Sequence, residues 1–130
     1  MTGKTRIALL GLGDIGEKFA EHFLEIMQEG GKPIEIVAVA HHDVNSPVAL
    51  GFQQNKVKVF SNPVDVITLG DKVDIIFDLT EDPKTRQALR LGLQKTGNHH
   101  TVIAPEVVAN LLWMFFGEPG NLGDGKGGGY

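Results

Sequence analysis

The chain has 130 residues, 42% of them hydrophobic and 22% charged, with a net charge of −4 and no cysteine. That length predicts one domain able to bury its own core, and the missing cysteines exclude disulfides, thiolate metal sites and a cysteine nucleophile. An acidic balance without a Lys/Arg block argues against nucleic-acid partners and against attraction to an anionic membrane surface.

The N-terminus lacks the basic, apolar and small-residue succession of a secretory signal. The most apolar segment, residues 107–116, is shorter than the about 20 residues needed to cross a bilayer. A soluble, cytoplasmic protein is expected.

Residues 5–10, TRIALL, form a short apolar run ending at glycine and predict a buried strand. From Asp14 to about Gln28 the period changes to that of a helix, with Ile15, Phe19, Phe23, Ile26 and Met27 on one face. Gly30 and Gly31 supply a left-handed cap, with Pro33 just beyond. IEIVAVA (34–40) is a second strand, and SPVALGFQQN holds a short helix. A third strand is expected over 57–60, followed by a short helix opened by Asn62 and Pro63. VDIIFDLT (73–80) is the fourth strand. The next helix has Asp82 as N-cap, Pro83 at its first position and Gly97 at its C-cap. HHTVIA (99–104) predicts a fifth strand, and a closing helix starts at Pro105. Residues 117–130, half glycine, read as a flexible tail outside a domain of residues 1–116.

Strands alternating with helices predict a three-layer α/β fold of the Rossmann type, a doubly wound sheet of about five parallel strands ordered 3-2-1-4-5. A ligand belongs at the carboxyl ends of the strands, where the order reverses.

Gly11, Gly13 and Gly16 have the G-x-G-x-x-G spacing, directly after a strand and at the opening of a helix. In that motif the first glycine permits the turn, the second lets a pyrophosphate approach the backbone, and the third allows helix–sheet packing. Free N–H groups and the helix dipole then attract phosphate. Leu12, Asp14 and Ile15 complete the seat; Asp14 has the wrong charge for a phosphate and fits a helix cap. The alternative is a glycine turn that merely packs. An acid should meet the adenosine ribose about 20 residues further on, which points to His41, His42 and Asp43. Asp43 on the ribose diol favours NAD, whereas a histidine facing the pocket would accommodate the 2′-phosphate of NADP.

The segments IALLGLGDIG, IEIVAVAHHD, VDIIFDLTEDP and GNHHTVIAPE, in that order, resemble the NAD(P)-binding N-terminal domain of the glucose–fructose oxidoreductase/inositol dehydrogenase family, and of dihydrodipicolinate reductase and homoserine dehydrogenase. The resemblance covers residues 5–110. It implies that Leu79, Thr80 and Pro83 line the nicotinamide-ribose side. The sugar-type oxidoreductases carry Glu-Lys-Pro at the end of strand 5, its lysine assisting proton transfer; this chain has Ile103, Ala104 and Pro105. The family also places its substrate site on a following domain. Together these imply a nucleotide-sensing or carrier module without a substrate domain. The alternative is an oxidoreductase, or a subunit or fragment of one, whose pocket comes from a partner.

The other candidates are weaker. His41-His42 and His99-His100 belong to opposite regions of the predicted sheet and should not converge on a metal. His22 is expected on the solvated side of the first helix. Asp78 and Thr80 are an acid/base candidate and its partner, against the simpler reading that Asp78 satisfies a loop or helix terminus. Glu81, Asp82 and Glu106 suit helix starts. The closing helix carries Val107, Val108, Leu111, Leu112, Met114, Phe115 and Phe116 with Trp113 around more than one face, which predicts a homo-oligomer formed through it, the alternative being that the sheet and the tail bury them all.

Overall fold

The structure is a computed structural model that describes residues 3–11 and 14–115, and for residues 14–16 the backbone alone. Five strands form one parallel sheet: β1 (Thr5–Leu10), β2 (Ile34–Ala40), β3 (Lys58–Phe60), β4 (Ile75–Asp78) and β5 (Val102–Pro105), in the order β3-β2-β1-β4-β5. The helices are α1 (Asp14–Glu29), α2 (Pro47–Gln54), α3 (Pro83–Lys95) and α4 (Glu106–Phe115), with a 3-10 segment at Pro63–Lys72. The predicted Rossmann-type topology is the one observed.

Side-chain alternation gives the sheet two apolar faces. Ile7 and Leu9 point to the side covered by α1, α2 and α4, with Phe19, Phe23, Phe52, Phe77 and Trp113. Ala8 and Leu10 point to the other, with Val66 of the 3-10 segment and Leu89 of α3. The small Ala8, Ala38 and Ala40 on that second face are all fully buried. One irregularity breaks the alternation. Between β1 and β2 the register shifts, so that Ile7 faces Ile36 but Ala8 faces Ala38. Val37 and Ala38 consequently both pack on the second face, the mark of a β-bulge.

Capping follows the sequence closely. Ser46 Oγ accepts the N–H of Ala49, and Asp82 Oδ1 that of Lys84. Gly30 and Gly31 have φ of 73° and 88° after α1.

Several boundaries differ from expectation. The helix expected after Asn62 is 3-10, and Gly70 interrupts it at φ 61°. Strand β4 is shorter than residues 73–80, because Val73 N–H turns back to Gly70 O. Residues 99–101 do not join β5: Asn98 Oδ1 accepts the N–H groups of His100 and Thr101 and holds them in a turn. Thr96 caps α3, with Gly97 following in the left-handed region at φ 68°. Pro105 ends β5, and α4 begins at Glu106. His22 does not face solvent: its ring lies edge-on to Trp113 of α4, with 5.8 Å between centroids. The Gly-rich segment 117–130 lies outside the described residues.

Candidate functional site

The sheet reverses direction between β1 and β4, and the loops leaving their carboxyl ends meet there. Leu79 N–H donates to Leu10 O, and Gly11 N–H to Ala40 O. Gly11 has φ of 84°, and a Cβ on it would lie 2.7 Å from Thr80 N and 2.9 Å from the Leu79 carbonyl carbon. Glycine is therefore required twice here, for its dihedral and for the backbone approach of the two loops. Leu12 and Gly13 lie outside the described residues. Asp14 is the first residue of α1, and the side chains of Asp14 and Ile15 and the surroundings of Gly16 are likewise outside them.

Beyond Gly11, the β4–α3 loop is held by a fully buried carboxylate. Asp78 Oδ1 accepts the Thr80 hydroxyl at 2.6 Å and the Thr80 N–H at 3.1 Å, while Oδ2 accepts Arg86 Nε at 2.9 Å. The Thr80 oxygen in turn accepts the N–H of Asp82. Every part of this arrangement fixes the loop, and Asp78 acts as its anchor; a carboxylate so enclosed has no access to a reacting proton. Leu79 is buried in the core, and Pro83 opens α3 at the loop's far side. Glu81 sits between them in the left-handed region, φ 58°. That conformation costs a non-glycine residue of order 1 kcal/mol and is concentrated at ligand-handling loops.

Next to this loop is an open cavity of about 520 Å³ lined by Glu81, Pro83, Arg86, Gln87, Arg90 and Glu106. Within that lining, Arg86 Nη2 lies 3.6 Å from Glu106 Oε2. Hydrogen bonding to the Thr85 hydroxyl, reinforced by the Lys84 N–H, holds the Asp82 carboxyl below the usual range.

On the other side of Gly11, β2 ends at Ala40 and releases His41, His42 and Asp43. His41 is buried at 4% exposure, its N–H donating to Phe60 O. Its Nδ1 accepts the N–H of Asp43 at 2.8 Å, and Nε2 lies 3.6 Å from Glu17 Oε2. Asp43 Oδ1 accepts the N–H of Asn45, making a local turn. His42 is exposed, its ring 4.8 Å from that of His41. Glu17 lies off the apolar face of α1 formed by Phe19, Phe23 and their helical neighbours, and no motif in the sequence singles it out.

The other histidine pair is at the opposite end of the sheet. His100 Nε2 lies 2.5 Å from Asp74 Oδ1, and Asp74 also accepts the N–H and guanidinium of Arg6. Hydrogen bonds from the Arg6 side chain, then its backbone, then His100, drive the Asp74 carboxyl far below the ordinary range. A cavity of about 670 Å³ lies beside it, lined by Gly70, Asp71, Thr96, Gly97, Asn98 and neighbours. Among the described residues no group of three or more His, Asp or Glu side chains is placed to hold a metal ion. No described helix is long and apolar enough to cross a membrane.

No protein-family model matches the chain, and neither does any curated protein sequence. Solved structures do. A homoserine dehydrogenase from Thiobacillus denitrificans superposes with a TM-score of 0.54 at 23% identity, over 79% of this chain and 24% of that one. The homoserine dehydrogenase of S. aureus superposes at 0.53 with 25% identity, over 78% of this chain and 26% of its own. The transcriptional regulator Gal80p from Kluyveromyces lactis superposes at 0.50 with 20% identity, over 78% and 26%. The likeness is one of fold. It agrees with the resemblance read from the sequence, and the chain spans about a quarter of the length of these larger proteins.

Proposed function

We propose that this chain is a nicotinamide-dinucleotide-binding module. The turn containing Gly11, Leu12, Gly13, Asp14, Ile15 and Gly16 would seat the pyrophosphate. Residues His41 to Asp43 would lie on the adenosine side, and Leu79, Thr80 and Pro83 on the nicotinamide side. One observation carries this reading: the glycine-rich turn leaves β1 at the point where the sheet reverses, in backbone contact with the β4–α3 loop. The domain would comprise residues 1–116, with 117–130 a Gly-rich tail, and a cysteine-free surface suits a reducing cytoplasm.

The fold is shared by dehydrogenases and by a transcriptional regulator, so it accommodates both catalysis and sensing. Ala104 stands where the resemblance places a proton-transferring lysine, and Asp78 is enclosed. Those two residues favour a carrier or sensor. The cavity beside Arg86 and Arg90 supports the second reading, in which the chain is part of an oxidoreductase whose partner completes a substrate pocket. Val107, Leu111, Met114 and Phe115 present an exposed apolar stripe on α4, and we assign to it a contact with a second copy of the chain.

The deciding experiment is calorimetric titration with NAD, NADH, NADP and NADPH. The wild-type chain should bind at least one, and Gly13→Val should abolish binding by obstructing the pyrophosphate. Binding of none overturns the proposal. Turnover of a 2-hydroxy acid, sugar or aldehyde in a cofactor-absorbance screen would replace the sensor reading with the enzymatic one.

A further inference from the structure

Helix α1 contributes an acid to the adenosine side of the crevice that the usual placement at the end of β2 does not anticipate. Because His41 Nδ1 accepts the Asp43 N–H, the neutral ring carries its proton on Nε2. That Nε2 is buried and has no hydrogen-bond partner among the described residues, on a side chain 96% withdrawn from solvent. Buried donors are nearly always satisfied, so this one is open to a further acceptor. Glu17 Oε2 lies 3.6 Å away, beyond hydrogen-bonding distance, on a carboxylate 41% exposed.

A donor and an acceptor side by side suit a group that does both, such as a hydroxyl, which accepts from Nε2–H and donates to the carboxylate. A phosphate oxygen can do only the first. It would also meet Glu17 and, from the β2–α2 loop, Asp43 as like charges, with the exposed His42 ring nearby. The pair lies at the carboxyl end of β2 beside the glycine-rich turn, where a Rossmann-type fold receives the adenosine ribose.

We propose that Glu17 and His41 hold a ribose hydroxyl of the dinucleotide between them, and thereby select NAD(H) against a 2′-phosphorylated dinucleotide. The inference rests on the dinucleotide reading above and adds the residue that sets its specificity. Asp43 acts through its N–H, which fixes the His41 tautomer.

The test is calorimetric titration of the full chain with NAD and with NADP. Wild type should favour NAD by about tenfold or more, the worth of one charge-assisted hydrogen bond. Glu17→Gln, which keeps length and helix propensity, should cut that ratio by about tenfold, weakening NAD and strengthening NADP. Glu21→Gln removes the same charge one turn along α1 and should leave the ratio unchanged within about twofold, with circular dichroism confirming that both variants fold. A preference for NADP in wild type, or a ratio indifferent to Glu17→Gln, overturns this inference while the dinucleotide reading stands. So does collapse of the ratio in Asp43→Asn but not in Glu17→Gln. Failure to bind either dinucleotide overturns both.

Discussion

The Cβ that Gly11 lacks would sit 2.7 Å from the backbone nitrogen of Thr80. Two loops that begin 68 residues apart in the sequence are thus in main-chain contact, with no flexible side chain between them to yield. Gly11→Ala must strain its φ of 84° and also push the β4–α3 loop away. A loss of about 2–4 kcal/mol is expected in urea unfolding, together with weaker dinucleotide binding. Unchanged stability would mean that the loops separate more easily than this contact implies.

Removing one member of the Asp78–Arg86 pair strands the other. Asp78→Ala should cost about 3 kcal/mol, since it takes from Arg86 its hydrogen-bonded carboxylate, leaving only Glu106 at 3.6 Å, and frees the Thr80 hydroxyl. In the double variant Asp78→Ala/Arg86→Met the loss should be less than the sum of the single losses. Additive losses in a double-mutant cycle would show that the two side chains contribute separately.

The stripe on α4 predicts association. In sedimentation velocity the wild-type chain should travel as a species heavier than its 14.1 kDa, and Leu111→Lys should return it to a monomer. A wild-type monomer at all concentrations would assign the stripe to something other than self-contact.

Acid should loosen the amino end of the sheet. The Asp74 carboxyl is held far below its usual value by Arg6, so the unfolded chain takes up this proton first as pH falls. Its stabilisation is fully present above about pH 4 and disappears as pH drops through the lower native value. Thermal unfolding of wild type and Asp74→Asn should therefore converge towards pH 2, with wild type more stable at pH 6. A constant gap across that range would remove Asp74 from the acid response.

Much of this architecture is legible in one dimension because it is local. The apolar runs at 5–10 and 34–40 are bounded by glycine and proline, and Ser46 and Asp82 are caps with proline directly after them. What is not legible depends on distant partners. Asp78 reads in one dimension as an acid/base candidate or, more simply, as a residue satisfying a loop or helix terminus, and only Arg86, eight residues on, shows what holds it. His22 follows Phe19 by three residues and Ile15 by seven, which is core spacing, but its polarity suggested solvent until Trp113 of α4 came into contact. Asn98 pulls His100 and Thr101 out of β5, an effect of one side-chain oxygen that hydrophobic periodicity does not register. Glu17 and His41 come from separate elements that only the crossover brings together.

The bulge in β2 reaches further than the strand itself. Ile36 and Val39 share the α1 side of the sheet, so the extra residue at Val37/Ala38 has inverted the parity of everything after it, His41 included. Pairing the strand straight through with every residue kept would aim the imidazole at the α3 layer, away from Glu17. The proposed ligand preference would then depend on the bulge itself, and substitutions that straighten β2 would disturb it from outside the crevice.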